Sequence, residues 1–124
     1  MADLTLAQRF GSNTSFDETT KVLSINLNDL SNIIVNGADL GLDTSQMTDA
    51  NKDEYASKIL WALVTLSAAN QPETNNDETV GVYITNEGKR NAIRNSIAQF
   101  GYRQVVTAYR NDDLGTQLDP DAIA

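Results

Sequence analysis

The chain has 124 residues, 17 acidic and 9 basic side chains, a formal net charge of -8, and neither cysteine nor histidine. This length predicts one domain with a modest core, and the missing residue types exclude disulfides, thiolate nucleophiles, imidazole bases and the commonest transition-metal ligands. The acidic balance also disfavours broad binding to nucleic acid or to anionic lipid.

The N-terminus is predicted to form a short helical element. Residues 4–10 carry apolar side chains roughly on one side, with Asp3 placed to cap the helix and Gly11 to end it. Residues 1–12 are therefore expected to form a small N-terminal arm. No basic segment followed by a long apolar run occurs here, so a signal peptide is not expected.

Two short strand pairs are predicted next. In "TSFDETTKVLSINL", Phe16 lies in a first strand, "DETT" makes a turn, and residues 21–27 alternate as a second strand. Residues 32–37 predict a further short strand that ends in the turn signal Asn36-Gly37. The N-terminal half is thus expected to be built around β-hairpins.

Residues 50–69 predict the longest helix of the chain. One stripe of this helix is apolar and comprises Tyr55, Ile59, Ala62, Leu63, Leu66 and Ala69. Leu60, Val64 and Trp61 carry apolar character to other sides, and a helix that is apolar almost all round packs on more than one side. Two arrangements follow from this pattern: a central core helix, or a helix shared between the core and another subunit.

The C-terminal part predicts a strand, a helix and a second strand. The strands cover residues 79–85 and 102–110, and the helix covers residues 88–100 with Ile93, Ile97 and Phe100 facing inward. Pairing of the two strands is left open between parallel and antiparallel. Residues 111–124 are expected to form an extended acidic tail. The predicted fold class is α+β: a small, mostly antiparallel sheet with an N-terminal β-hairpin, one long central helix and a strand-helix-strand C-terminal half.

No motif for catalysis, a metal or a cofactor is complete in the sequence. "DANKDE" (49–54) begins like a calcium loop, but Glu54 and Leu60 occupy the positions that need glycine and a bidentate glutamate. "NEGKRN" (86–91) lacks both the first glycine and the hydroxyl residue of a phosphate loop. Adjacent carboxylates in polar loops do not make an acid–base pair. We therefore expect a protein that is not an enzyme, with no cofactor and no evident small-molecule substrate.

The strongest sequence feature is a segregation of charge. Residues 1–87 hold thirteen acids and four bases, residues 88–110 hold five bases and no acid, and residues 111–124 hold four acids. Three interpretations compete: a solvated surface with local ion pairs, a contact with acidic protein surface, and a nucleic-acid site. The acidic remainder disfavours nucleic acid. The predicted partner interface comprises Lys89, Arg90, Arg94, Arg103 and Trp61.

In general character the chain resembles small virion structural proteins of tailed bacteriophages. The features that carry this resemblance are the N-terminal "MADLTLAQRFG", the Thr- and Asn-rich "TSFDETTKVLSINLNDL" and the polar C-terminal tail. The resemblance implies a structural subunit of the tail, neck or baseplate, located in the virion, whose partners are other copies of itself or other structural proteins. The alternatives are a capsid decoration protein and a small cytoplasmic module that binds or regulates a partner protein. A membrane location is not expected.

Overall fold

The computed structural model describes residues 3–109 and 120–123, and its elements confirm the α+β class. The α-helices are α1 (Leu6–Phe10) and α2 (Ala56–Asn70). The strands are β1 (Ser15–Asp17), β2 (Val22–Ser24), β3 (Ile34–Val35), β4 (Ala38–Asp39), β5 (Val82–Arg94) and β6 (Ile97–Ala108). Short 3₁₀ helices cover Leu27–Leu30, Lys52–Tyr55 and Pro120–Ala122.

The chain divides into two compact units. Residues 4–73 form the first unit, and the described residues from Thr74 onward, together with Asp3, belong to the second. The first unit contains both α-helices and the short antiparallel pairs β1–β2 and β3–β4. The second contains the antiparallel pair β5–β6.

The first unit is held together by an apolar core between α2 and the loops before it. Its buried members are Leu30, Leu42, Tyr55 and Ala62, and Leu27, Met47, Ile59, Leu63 and Leu66 pack against them. This confirms the stripe predicted for the long helix except at Ala69, which is exposed. Leu60 and Trp61 instead remain exposed over 66% and 43% of their surfaces, so one side of α2 has no cover within the described residues.

Helix α1 begins two residues later than the sequence suggests and lies against α2. Thr5, not Asp3, is its N-cap, and the Thr5 and Gln8 side chains exchange hydrogen bonds with each other's backbone N–H. Arg9 Nη1 donates to Ser67 Oγ at 2.6 Å, and Asn70 Nδ2 donates to the Gln8 carbonyl at 2.8 Å. These bonds attach the predicted arm segment to the helix.

The predicted helix over residues 88–100 is wrong. This segment continues β5, turns at Asn95-Ser96 and returns as β6 in an antiparallel hairpin with Arg94 opposite Ile97. Antiparallel pairing resolves the alternative that the sequence left open. Ile93, Ile97 and Phe100 have the spacing of one helix face, but Ile93 lies on β5 and the other two lie on β6, after the turn.

Both turn residues have left-handed backbone angles, with φ of 51° at Asn95 and 63° at Ser96. Asparagine tolerates this region, but serine there is strained, and glycine is the preferred second residue of such a turn. We expect Ser96→Gly to stabilise the hairpin by about 0.5–1 kcal/mol. Amide hydrogen exchange along β5 and β6 should slow accordingly. Glycine at Gln99, within the strand, should have the opposite effect, and equal effects at both positions would contradict this account of the turn.

The predicted acidic tail over residues 111–124 lies outside the described residues except for the turn at Pro120–Ala122. Arg110, the last member of the basic run, also lies outside them.

Candidate protein-interaction surface

The β5–β6 hairpin has two chemically different faces. Strand β6 pairs without interruption, so its successive side chains alternate between the faces. Strand β5 contains a β-bulge. Asn86 and Gly88 are two residues apart, but their partners on β6, Gln104 and Arg103, are adjacent. Gly88 has φ of 76°, which suits the bulge. The extra residue, Glu87, shifts the alternation of β5 by one position beyond the bulge.

We call one side of the hairpin the apolar face, defined by Ile93, Ala98, Phe100, Tyr102 and Val106. Most of these side chains are open to solvent: Ile93 is 78% exposed, Phe100 67% and Tyr102 63%. Large apolar side chains gathered on one exposed surface are typical of an interaction site rather than of a free surface.

The opposite side is the arginine face, defined by Arg90, Arg94 and Arg103. The first two lie on β5 beyond the bulge, opposite Gly101 and Ile97 respectively. Arg103 lies on β6 opposite Gly88. The bulge therefore aligns all three guanidinium groups on one side, although they come from two strands.

The arginine face is only partly neutralised. Arg103 Nη2 lies 3.6 Å from Glu87 Oε1 in a solvent-exposed ion pair. Arg90 Nη1 approaches the Glu87 carbonyl at 3.4 Å. Within the described part of the chain, Arg94 has no acidic partner. Exposed pairs of this kind contribute little to stability, so the face retains cationic groups that an acidic surface could contact.

The predicted interface residues are not all brought together. Lys89 lies on the apolar face, where its ammonium group stands 4.5 Å from the centre of the Phe100 ring in a cation–π contact. Trp61 belongs to α2, in the other compact unit. The hairpin thus groups Arg90, Arg94 and Arg103, whereas Lys89 and Trp61 occupy other surfaces.

Sequence reasoning missed the apolar part of this surface. Ile93 and Phe100 were expected to face a core, but each is exposed over more than half of its area, and the same holds for Ile97 on the arginine face. The signal that identifies Phe100 is its alternation of period two with Ala98 and Tyr102 along β6. The helical spacing of the same three residues obscured it.

The segments that resemble calcium and phosphate loops, and the carboxylate of Asp43, make only local contacts in the structure. Asp49 of "DANKDE" forms an exposed ion pair with Lys52 at 2.8 Å, and no cluster of three or more acidic side chains able to hold a metal occurs among residues 3–109 and 120–123. "NEGKRN" forms the bulged part of β5 rather than a loop before a helix. The pKa of Asp43 is lowered because its carboxylate accepts hydrogen bonds from Ser45, first from the backbone N–H and then from the side chain.

Compared with known protein families, curated proteins and solved structures, the chain shows no significant match. Neither α-helix in the described part of the chain is long and apolar enough to cross a membrane.

Proposed function

We propose that this chain is a non-enzymatic structural subunit of a multi-protein assembly, a virion component of the tail, neck or baseplate of a tailed bacteriophage. In this role the hairpin is the contact element, and neighbouring subunits cover it. The virion assignment rests on the general resemblance of the sequence. The assembly role rests on the hairpin itself.

The observation that carries the proposal is the exposed apolar face of a long two-stranded hairpin. A two-stranded hairpin alone is at best marginally stable in water, and stability normally requires a third strand or a covering layer. Within the described residues β5 and β6 pair only with each other, while Ile93, Phe100 and Tyr102 remain exposed. Another protein surface would supply the missing cover.

Charge supports the same role. The hairpin, Val82–Arg94 with Ile97–Ala108, holds four basic residues and one acidic residue, whereas the chain as a whole has net charge -8. A basic surface on an acidic molecule favours head-to-tail contacts between copies or with an acidic neighbour. Such contacts close into rings or extend into stacks, as repeated subunits of a virion must.

The test is native mass measurement of the purified protein at low and high salt, about 0.05 and 0.5 M. We expect species larger than one copy at low salt, and we expect salt to weaken them. Arg90→Glu combined with Arg94→Glu should weaken this assembly by about tenfold or more, because each interfacial charge pair contributes on the order of 1 kcal/mol. Detection of the chain in purified phage particles would test the virion assignment directly.

The matched control is Lys52→Glu combined with Lys58→Glu, which makes the same change in net charge on exposed residues of the other unit. It should leave the assembly nearly unchanged. Equal loss in both double variants would show that overall charge, not the arginine face, governs association. A strict monomer at every salt concentration that captures one partner protein would favour the alternative of a binding module.

A further inference from the structure

The hairpin also has two outer edges, which differ in the side chains that flank them over the described residues. Strand β5 carries Lys89, Arg90 and Arg94 as well as the bulge at Glu87. Charges and bulges are the features by which proteins protect an edge strand from pairing with other chains. Strand β6 runs for 12 residues with one charged side chain, Arg103, no proline and no bulge. Its edge is therefore the unprotected one.

The backbone pattern identifies which groups of β6 face this open edge. Tyr109, just after β6, donates its N–H to the Gly81 carbonyl at 2.8 Å. Residues of an antiparallel strand alternate between pointing toward the partner and pointing away, so odd-numbered residues of β6 point toward β5. The N–H and carbonyl groups of Ala98, Phe100 and Tyr102 consequently point outward. All three residues are exposed.

We propose that this edge pairs antiparallel with the β6 edge of a second copy, about a two-fold axis at Phe100, to form a four-stranded sheet. This inference rests on the proposed function, since it names the neighbour that pairs with one edge of the hairpin. In this register Phe100 lies opposite its own equivalent, and Ala98 lies opposite Tyr102 of the other copy. Each pair consists of residues whose backbone groups point outward.

Charge selects this arrangement over the other edge pairings. With β6 strands joined, the two β5 strands lie three strand spacings apart, about 14 Å. If β5 paired with β5 instead, the three cations of one copy would lie on a strand only one strand spacing, about 5 Å, from the strand that carries those of the other copy, and the charges would repel each other. The two-fold axis at Phe100 also places Arg103 opposite Ile97 of the other copy, and it separates the two Arg103 positions by about 20 Å along the strands.

The surface area buried by β6–β6 pairing sets the expected affinity of the dimer. The exposed half of β6 is about 24 Å long, and a sheet is about 10 Å thick, so this edge buries about 500 Å² over both copies. A stable interface needs about 1,200 Å² or more. We therefore expect a dimer that forms at high micromolar concentration and that the larger assembly reinforces. Because both hairpins are basic, salt should leave this dimer unchanged or strengthen it.

Cysteine crosslinking tests the register, since the natural chain contains no cysteine. Paired residues at the two-fold axis have Cα atoms about 5.5 Å apart, within disulfide range. Phe100→Cys should form a crosslinked dimer under mild oxidation. Two control variants should not form a crosslinked dimer. Asn91→Cys lies on β5, opposite Phe100. Tyr102→Cys would lie about 14 Å from its equivalent in the other copy. No crosslink at residue 100, or a stronger one at residue 91, would overturn the proposal.

Proline tests the edge itself. Phe100→Pro removes an outward N–H without breaking the β5–β6 ladder, and Phe100→Ala removes the same ring but retains that N–H. Sedimentation at high salt should show at least tenfold weaker dimerisation for the proline variant than for the alanine variant. Equal dimerisation would overturn the edge pairing. If the proline variant fails to fold by circular dichroism, the crosslinking result decides.

The experiments distinguish failure of the β6 edge pairing from failure of the proposed structural role. Assembly that depends on Arg90 and Arg94 at low salt, without crosslinking at residue 100, overturns the edge pairing and leaves the structural role intact. A dimer crosslinked at residue 100 that resists salt and forms nothing larger supports the edge pairing and contradicts the arginine-dependent contact.

Discussion

Replacing Leu30 with alanine is expected to lower the free energy of unfolding of the first unit by about 3 kcal/mol. Leu30 is fully buried, with 0% exposure, in the core that contains Leu42, Tyr55 and Ala62. Truncation loses the transfer free energy of the removed carbons and leaves a cavity that the surroundings fill only in part. Denaturant unfolding followed by Trp61 fluorescence measures this effect, because the chain has one tryptophan and it lies in the same unit.

The matched control is Leu60→Ala on α2, at a leucine that is 66% exposed. The same atoms are removed, but from water-accessible surface, and the change in unfolding free energy should stay within about 0.5 kcal/mol. Similar losses at the two leucines would mean that Leu30 does not lie in a packed core or that Leu60 is covered in solution.

Gly41→Ala should produce the second large loss, about 2–3 kcal/mol of unfolding free energy. A Cβ at this position would overlap the Ser31 carbonyl group and lie 2.8 Å from the Asn32 nitrogen. The obstacle is backbone, and it is held in place by hydrogen bonds from Leu40 N to Ile33 O and from Leu42 N to Leu30 O, at 2.8 and 2.7 Å. The two segments must separate to admit the methyl group. Trp61 fluorescence again reports the change.

Gly37→Ala separates a steric clash from backbone strain. Gly37 has φ of 80° but no atom within 4 Å of an added Cβ. Alanine there should cost only the left-handed conformation, about 1–2 kcal/mol. A Gly37 variant less stable than the Gly41 variant would contradict the close approach of the two segments at Gly41.

The first unit was largely predictable because its signals are local. Asn36-Gly37 marks the β3–β4 turn, and the i, i+4 spacing of Ile59 and Leu63 marks the buried side of α2. The errors there concern ends of elements: the helix predicted from residue 50 begins as 3₁₀ at Lys52, and the strand predicted to residue 27 ends at Ser24. Capping and turn geometry at such ends depend on competing hydrogen bonds that sequence spacing does not rank.

The hairpin was not predictable to the same degree. A reversal at Asn95-Ser96 requires two non-glycine residues in the left-handed region, which the sequence gives little reason to expect. Ile93 and Phe100 then satisfy the spacing of an amphipathic helix while lying on one face of a sheet. The basic residues were recognised from charge alone, but their division between two faces depends on the bulge. Gly88 marks a bulge only once the segment is known to be a strand, and the helix prediction concealed that signal.

The bulge has a consequence for how the hairpin can vary in length. Beyond Gly88, the alternation of each strand places Arg90, Arg94 and Arg103 on one side and Ile93, Phe100 and Tyr102 on the other. Inserting two residues in each strand would lengthen the hairpin by about 7 Å and keep the two surfaces distinct. Inserting a single residue in β5 would invert every position between it and the turn. Homologous chains whose hairpins differ in length are therefore expected to differ by an even number of residues in each strand.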